Sequence, residues 1–264
     1  MQKVDLKITN KWSIRVCSDW ARIIGRQIEM PYFTKLISNI SESAAWNRRV
    51  PSRANIMHAF EATSFNDVKV VIMGQEPYPQ LSQASGLAFG VDVGTQVPRT
   101  LCNIIQEVER ELNKPKLDDK KKLIVSDPIT LNKMDVSLNG WANQGVLLVN
   151  ALLTGAHGIN CAHCDMGWET FTDEIITALK HRNKPIVFIF WGDLAREKIS
   201  KLIEDKGNGV KGHILALESS HPNPISYNKG EWNEKFLCCD HFLKANKFLE
   251  SKSVVPIDWS KTGG

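Results

Sequence analysis

Apolar residues recur along this chain with two different spacings, and the spacings take turns. Over residues 12–65 polar and apolar positions alternate at helical spacing, with Trp20, Ile23, Ile24 and Ile28 as one stripe, so helix is expected there. Short apolar, β-branched runs come next at Val68–Met73, Val146–Val149, Ile186–Trp191 and His213–Leu217, each the length of a buried strand. Between and after them, 101–112, 168–180, 194–203 and 240–250 read as amphipathic helices. Strand alternating with helix predicts an α/β fold: a short central parallel sheet with helices on both faces, in a single domain over 1–264. Two stretches break the rhythm. Residues 113–138 (with NKPKLDDKKKLIVSDP) and 227–235 (YNKGEWNEK) carry proline, mixed charge and weak periodicity, as surface insertions do.

Composition narrows the function classes. Hydrophobic residues make up 42% and charged residues 23% of the 264, the balance of an ordinary globular protein. No apolar run approaches the roughly 20 residues of a membrane span. The opening MQKVDLKITNKW lacks the apolar core of a secretory signal, so an intracellular protein is expected. A net charge of +4 permits a polyanionic partner without identifying one. The six cysteines are scattered, which favours reduced thiols over a disulfide framework. His157, Cys161, His163 and Cys164 offer nitrogen and sulfur to a metal, but they crowd one short loop, whereas closed zinc sites draw on two separated ligand pairs. Packing or surface thiols is the preferred reading, and no metal or other cofactor is expected.

The chemistry lies in the segments just beyond the strands. Val68–Met73 runs into GQEPYP, Val146–Val149 into NALLT, Ile186–Trp191 into Gly192–Asp193, and His213–Leu217 into SSHPNPIS. In parallel α/β sheets ligands lie beyond the carboxyl ends of the strands. A carboxylate (Glu76), an aromatic ring (Tyr78), an amide (Asn150) and a histidine (His221) would therefore converge.

These are also the segments that carry a family resemblance. GQEPYP resembles the water-activating GQDPYH motif of the main uracil-DNA glycosylase family, and HPNPIS resembles its DNA-intercalating HPSPLS loop. GWANQGVLLVNALLT, GWETFTD, FWGDLA, the stretch ending CDHF, and PIDW are also similar, in the family's order, over roughly residues 20–260. The resemblance implies a monofunctional repair enzyme that flips uracil from single- or double-stranded DNA and hydrolyses its N-glycosidic bond. It further implies a monomer, no membrane, a nuclear place in the cell or infected host cell, and inhibition by a DNA-mimicking phage protein.

Residue by residue, the resemblance makes Glu76 the carboxylate beside the cationic sugar, orienting the attacking water. His221 becomes the donor to the uracil oxygen as negative charge develops. Asn150 would read the Watson–Crick edge, Gln75 would contact uracil through its backbone and nearby polar atoms, and Phe89 would stack on the base. Tyr78 would fill the space beside C5 and exclude the thymine methyl group. Ile225 takes the place of the wedge leucine that enters the gap left by the flipped nucleotide. Thr100, Gly192 and Ser226 fall on loops that hold DNA phosphates. Taken alone, each residue also has a plainer role: Glu76 as a helix cap, His221 as a satisfied loop histidine, Asn150 as a turn residue, Phe89 as core.

Departures from the family pattern matter too. Glu76 replaces aspartate, one methylene longer, where a misplacement near 1 Å can cost about a hundredfold in rate. Pro79 replaces histidine, as in poxvirus relatives. The proline-rich loop is thinned to QVPRT, Asp193 replaces a serine near the phosphate path, and Asn223 replaces a serine in the wedge loop. They indicate a divergent member, of a viral kind. Two other readings stay open: a weakly catalytic DNA-binding accessory subunit of a replication complex, and a glycosylase of another family built around an iron–sulfur cluster. A nucleotide enzyme of doubly wound type lacks its glycine fingerprint here.

Overall fold

The computed structural model describes residues 1–10, 12–43, 46–113, 135–192, 212–230 and 235–264. The chain opens not with helix but with a hairpin, β1 (Lys3–Thr9) paired antiparallel with β2 (Trp12–Cys17). The helical reading of residues 12–65 is corrected at its start. Trp12, Ile14 and Val16 are buried while Ser13 and Arg15 are exposed, an alternation with period two that belongs to a half-buried strand. Helix begins after the buried Trp20, with α1 (Ala21–Ile28) and α2 (Pro31–Glu42). Pro31 at the first turn of α2 forfeits an N–H that would have had no partner within the helix.

Next come β3 (Arg49–Val50), α3 (His58–Ala62), β4 (Val70–Gly74), α4 (Arg99–Asn113), α5 (Asn139–Ala142), β5 (Val146–Asn150), β6 (Gly155–Ala156), α6 (Trp168–Lys180), β7 (Ile186–Trp191), β8 (Ile214–Ser219) and α7 (His241–Ser251). Four strands form one parallel sheet in the order β5-β4-β7-β8. Every residue of β4, β5 and β7 is buried, as expected where helices cover both faces of a parallel sheet. Two aromatic clusters seat those helices. Trp20, Phe33, Phe60, Trp168 and Phe171 form one; Trp141, Trp191, Phe236, Phe242 and Trp259 form the other, with edge-on or tilted ring pairs throughout.

A small second pairing, β3 with β6, holds the chain just after β5 against Arg49 and Val50. Buried Glu107 of α4 accepts hydrogen bonds from Arg110 and from the N–H groups of Cys238 and Asp240, and Glu111 accepts from Leu243 N–H. These bonds tie α4 to the segment that leads into α7. Residues 114–134 of the first expected insertion, 231–234 of the second, Asp193 and the helix expected at 194–203 lie outside the described residues. The end of the first stretch is not on the surface: Val136, Ser137 and Leu138 are buried, because the chain there has rejoined the core at the entry to α5.

Candidate active site

The carboxyl ends of the sheet strands meet at a cavity of about 360 Å³. Gln75, Glu76, Tyr78, Phe89, Thr100, Asn150 and His221 all line it. Four different segments deliver them: the turn after β4 and the loop beyond it, the first turn of α4, the last residue of β5, and the loop after β8.

β4 and β5 are paired in register, so Gly74 stands opposite Asn150. A side chain at Gly74 would collide with Asn150 Oδ1; glycine there lets the amide lie against the backbone at the cavity floor. The N–H groups of Ala151 and Leu152 donate to the carbonyls of Gly74 and Gln75 at 2.9 Å each, which locks the two strand exits together.

Glu76 is half-buried and accepts the backbone N–H of Cys161 on both carboxylate oxygens, at 3.0 and 3.1 Å. Burial pushes its pKa above the ordinary carboxylate value, and the Cys161 N–H opposes that by stabilising the charged form. Tyr78 donates its hydroxyl to the Phe89 carbonyl at 3.2 Å, and burial raises its pKa, so the phenol stays protonated. Phe89 has φ 66°, a left-handed backbone uncommon for an aromatic residue, and its ring sits 5.3 Å from Trp191 and 6.1 Å from His221.

His221 is the most informative group. Burial brings its pKa down to about 4, so the ring is neutral near pH 7. The backbone N–H of Asn223 donates to Nδ1 at 3.1 Å, so Nδ1 is the acceptor. The one ring proton of a neutral imidazole must then lie on Nε2, which leaves a neutral N–H donor for a ligand. Gly192 (φ 95°) packs on this ring; a β-carbon there would come within 3.1 Å of His221 Cβ.

Gly192, Ile225 and Ser226 do not line the cavity; they border it. Asn223 Oδ1 accepts the N–H groups of Ile225 (3.0 Å) and Ser226 (2.8 Å), a turn that presents Ile225 with 74% of its surface exposed. Asn103 of α4 donates to the Pro222 carbonyl at 2.7 Å and ties this loop down.

A sequence profile of the Uracil DNA glycosylase superfamily matches residues 60–250. The chain belongs to that superfamily. A uracil-DNA glycosylase of Francisella philomiragia is 39% identical over 91% of this chain and 99% of its own length, and one of Christiangramia forsetii 37% over 94% and 100%. The crystal structure of mimivirus uracil-DNA glycosylase matches with a TM-score of 0.73, at 26% identity, covering 91% of this chain and 86% of that one. A variant of the mimivirus enzyme, 25% identical over 92% of this chain and 88% of its own, is solved in complex with UGI (TM-score 0.73).

Within this superfamily member, sequence reasoning missed Asn160, Cys161 and Asn223 as cavity residues. Cys161 acts through its backbone, which no side-chain pattern announces. Asn223 stands in the sequence as a departure from the family pattern, yet an Asn two residues before the exposed Ile225 is a recognisable turn signal. The expectation of reduced thiols is corrected for one pair. Cys161 and Cys164 are joined in a disulfide with Cα atoms 5.0 Å apart, the reach of a Cys-x-x-Cys turn, while Cys17, Cys102, Cys238 and Cys239 are free. Of the residues weighed as metal ligands, Cys161 and Cys164 are joined to each other, His163 is buried with Nδ1 2.8 Å from Thr154 Oγ1, and His157 Nδ1 lies 2.9 Å from the Pro79 carbonyl.

Proposed function

We propose that this superfamily member excises uracil from DNA by hydrolysing the N-glycosidic bond of a flipped nucleotide, with the whole of 1–264 acting as one catalytic domain. The observation that carries this reading is that His221, buried and with Nδ1 accepting the Asn223 N–H, shares one cavity with the Glu76 carboxylate and the Asn150 amide. Cleavage builds positive charge on the sugar and negative charge on the departing base. Fixed groups of opposite character at the two ends of the breaking bond lower that barrier without reorganising water.

In this reading Glu76 faces the sugar and orients the attacking water, while His221 donates to the uracil oxygen. A neutral donor suits the second task, because it stabilises the developing anion while keeping its proton. Asn150 and Gln75 recognise the base edge, Phe89 stacks on the ring and Tyr78 stands beside C5. Thr100 lies in the first turn of α4, so a phosphate near it would meet the free N–H groups and positive end of a helix. Gly192 and Ser226 complete the phosphate path, and Ile225 fills the gap in the stack.

The substrate is uracil-containing DNA, single- or double-stranded, and the working form is a monomer in the compartment that holds the DNA, the nucleus where there is one. No helix among the described residues is long and apolar enough to cross a membrane. The protein partner this reading offers is a DNA-mimicking inhibitor such as UGI, supported by the likeness to the mimivirus enzyme solved with it. The experiment is release of free uracil from a uracil-containing oligonucleotide in excess EDTA, with a thymine oligonucleotide as control. Undiminished release in EDTA and none from the control is expected, because side chains, dipoles and the substrate's own phosphates supply the electrostatics. Loss of release that zinc restores would overturn the metal-free assignment.

A further inference from the structure

The loop after β6 encloses the Glu76 motif from both sides. Pro79 offers its carbonyl to Gly158 N–H at 2.9 Å, and three residues later the Cys161 N–H reaches the Glu76 carboxylate. Cys161 has φ 56°, the left-handed region that an L side chain adopts only when its surroundings impose it. The turn that follows Cys161 is closed twice. Cys164 N–H donates to the Cys161 carbonyl at 3.2 Å, closing a turn, and the disulfide joins the same two residues across that turn. Between them His163 is buried with Nδ1 2.8 Å from Thr154 Oγ1, which fastens the turn to the body of the protein. Cys161 itself is exposed at the cavity rim.

We infer that Cys161 and Cys164 are positioning residues for the uracil-releasing reaction: their disulfide fixes the turn whose backbone N–H holds the Glu76 carboxylate. The inference rests on the catalytic reading of Glu76. Its consequence is a dependence of turnover on thiol redox state. A dithiol that reaches the exposed Cys161 sulfur exchanges with it; the protein disulfide takes two electrons and two protons to become two thiols, and the dithiol leaves as its own disulfide. The turn then loses its covalent closure, and Glu76 loses a fixed donor.

The test uses the full chain, purified without reductant and then treated with dithiothreitol. Reduction should lower kcat on a uracil oligonucleotide by about tenfold, within the hundredfold that a misplacement near 1 Å can cost. KM should be unchanged, and reoxidation should restore the rate. The acid limb of the kcat profile should also move to higher pH, since the N–H that favours ionised Glu76 is lost. A loss of stability alone would not move that limb. Cys164→Ser should show the reduced-state rate and limb with or without dithiothreitol, and Cys238→Ser should behave as the parent does. If Cys164→Ser does not fold, reversible reduction of the parent carries the test. Six free thiols in the unreduced protein, or a kcat and acid limb indifferent to reduction, would overturn the inference. Glu76→Gln separates the two levels: an inactive Glu76→Gln beside an unaffected reduced enzyme sinks only the positioning role, whereas a fully active one sinks the catalytic reading beneath it.

Discussion

Tyr78 shows what a single side chain can decide. Its hydroxyl donates to the Phe89 carbonyl, which opposes movement of the ring away from the cavity. Thymine differs from uracil by one methyl group, and a favourable pocket discriminates a methyl by only about 1–3 kcal/mol. A rigid wall, as proposed for Tyr78, can reject it more strongly. Tyr78→Ala is therefore expected to release thymine from thymine-containing DNA at a measurable rate while still releasing uracil. A variant that remains active and wholly uracil-specific would remove Tyr78 from that role. Tyr78, Glu76, Asn150 and His221 were legible in the sequence as residues that converge, because each lies just past a strand run inside a recognisable motif. The state of His221 was not. It depends on burial and on one backbone N–H two residues later, and neither leaves a mark on residue type.

At the scale of elements, the four sheet strands were legible to within about two residues, the usual error at boundaries: β4, β5 and β7 because a strand buried on both faces must be apolar throughout, and the partly exposed β8 because its first four residues are apolar. The N-terminal hairpin was not, because Trp12, Ile14 and Val16 alternate over too short a run to stand out from the helical spacing beside them. The exposure of Ile225 in the loop after β8 was legible, since an isoleucine between a proline and a serine has no core to join. The stiffness of that loop comes from Asn223, whose side chain caps the turn. Opening a stacked duplex costs a few kcal/mol and a single strand much less. Ile225→Ala should thus slow uracil release from duplex DNA about tenfold more than from a single strand, roughly 1.4 kcal/mol of lost wedge action. Equal losses on both substrates, in parallel single-turnover assays, would count against the wedge.

Across the whole molecule, a net charge of +4 said little, and the fold said a great deal. One parallel sheet brings residues 75 to 223 to a single cavity, and two aromatic clusters and the α4 carboxylates hold that arrangement rigid. Within it, Glu76 is the charged group proposed to drive bond cleavage. Burial raises its pKa above the ordinary carboxylate range, while His221 stays neutral down to about pH 4. As pH falls, Glu76 is then the first of the two to change charge, so it should set the acid limb of the rate. The direct test is single-turnover uracil release across pH by the parent and by Glu76→Gln, with DNA affinity measured alongside. The parent is expected to lose rate as Glu76 becomes protonated. Glu76→Gln should be slower by about a hundredfold or more at neutral pH, lack that limb, and bind DNA as the parent does. A Glu76→Gln enzyme with the parent's rate and the parent's pH profile would contradict the catalytic role, and a DNA-binding accessory role would take its place.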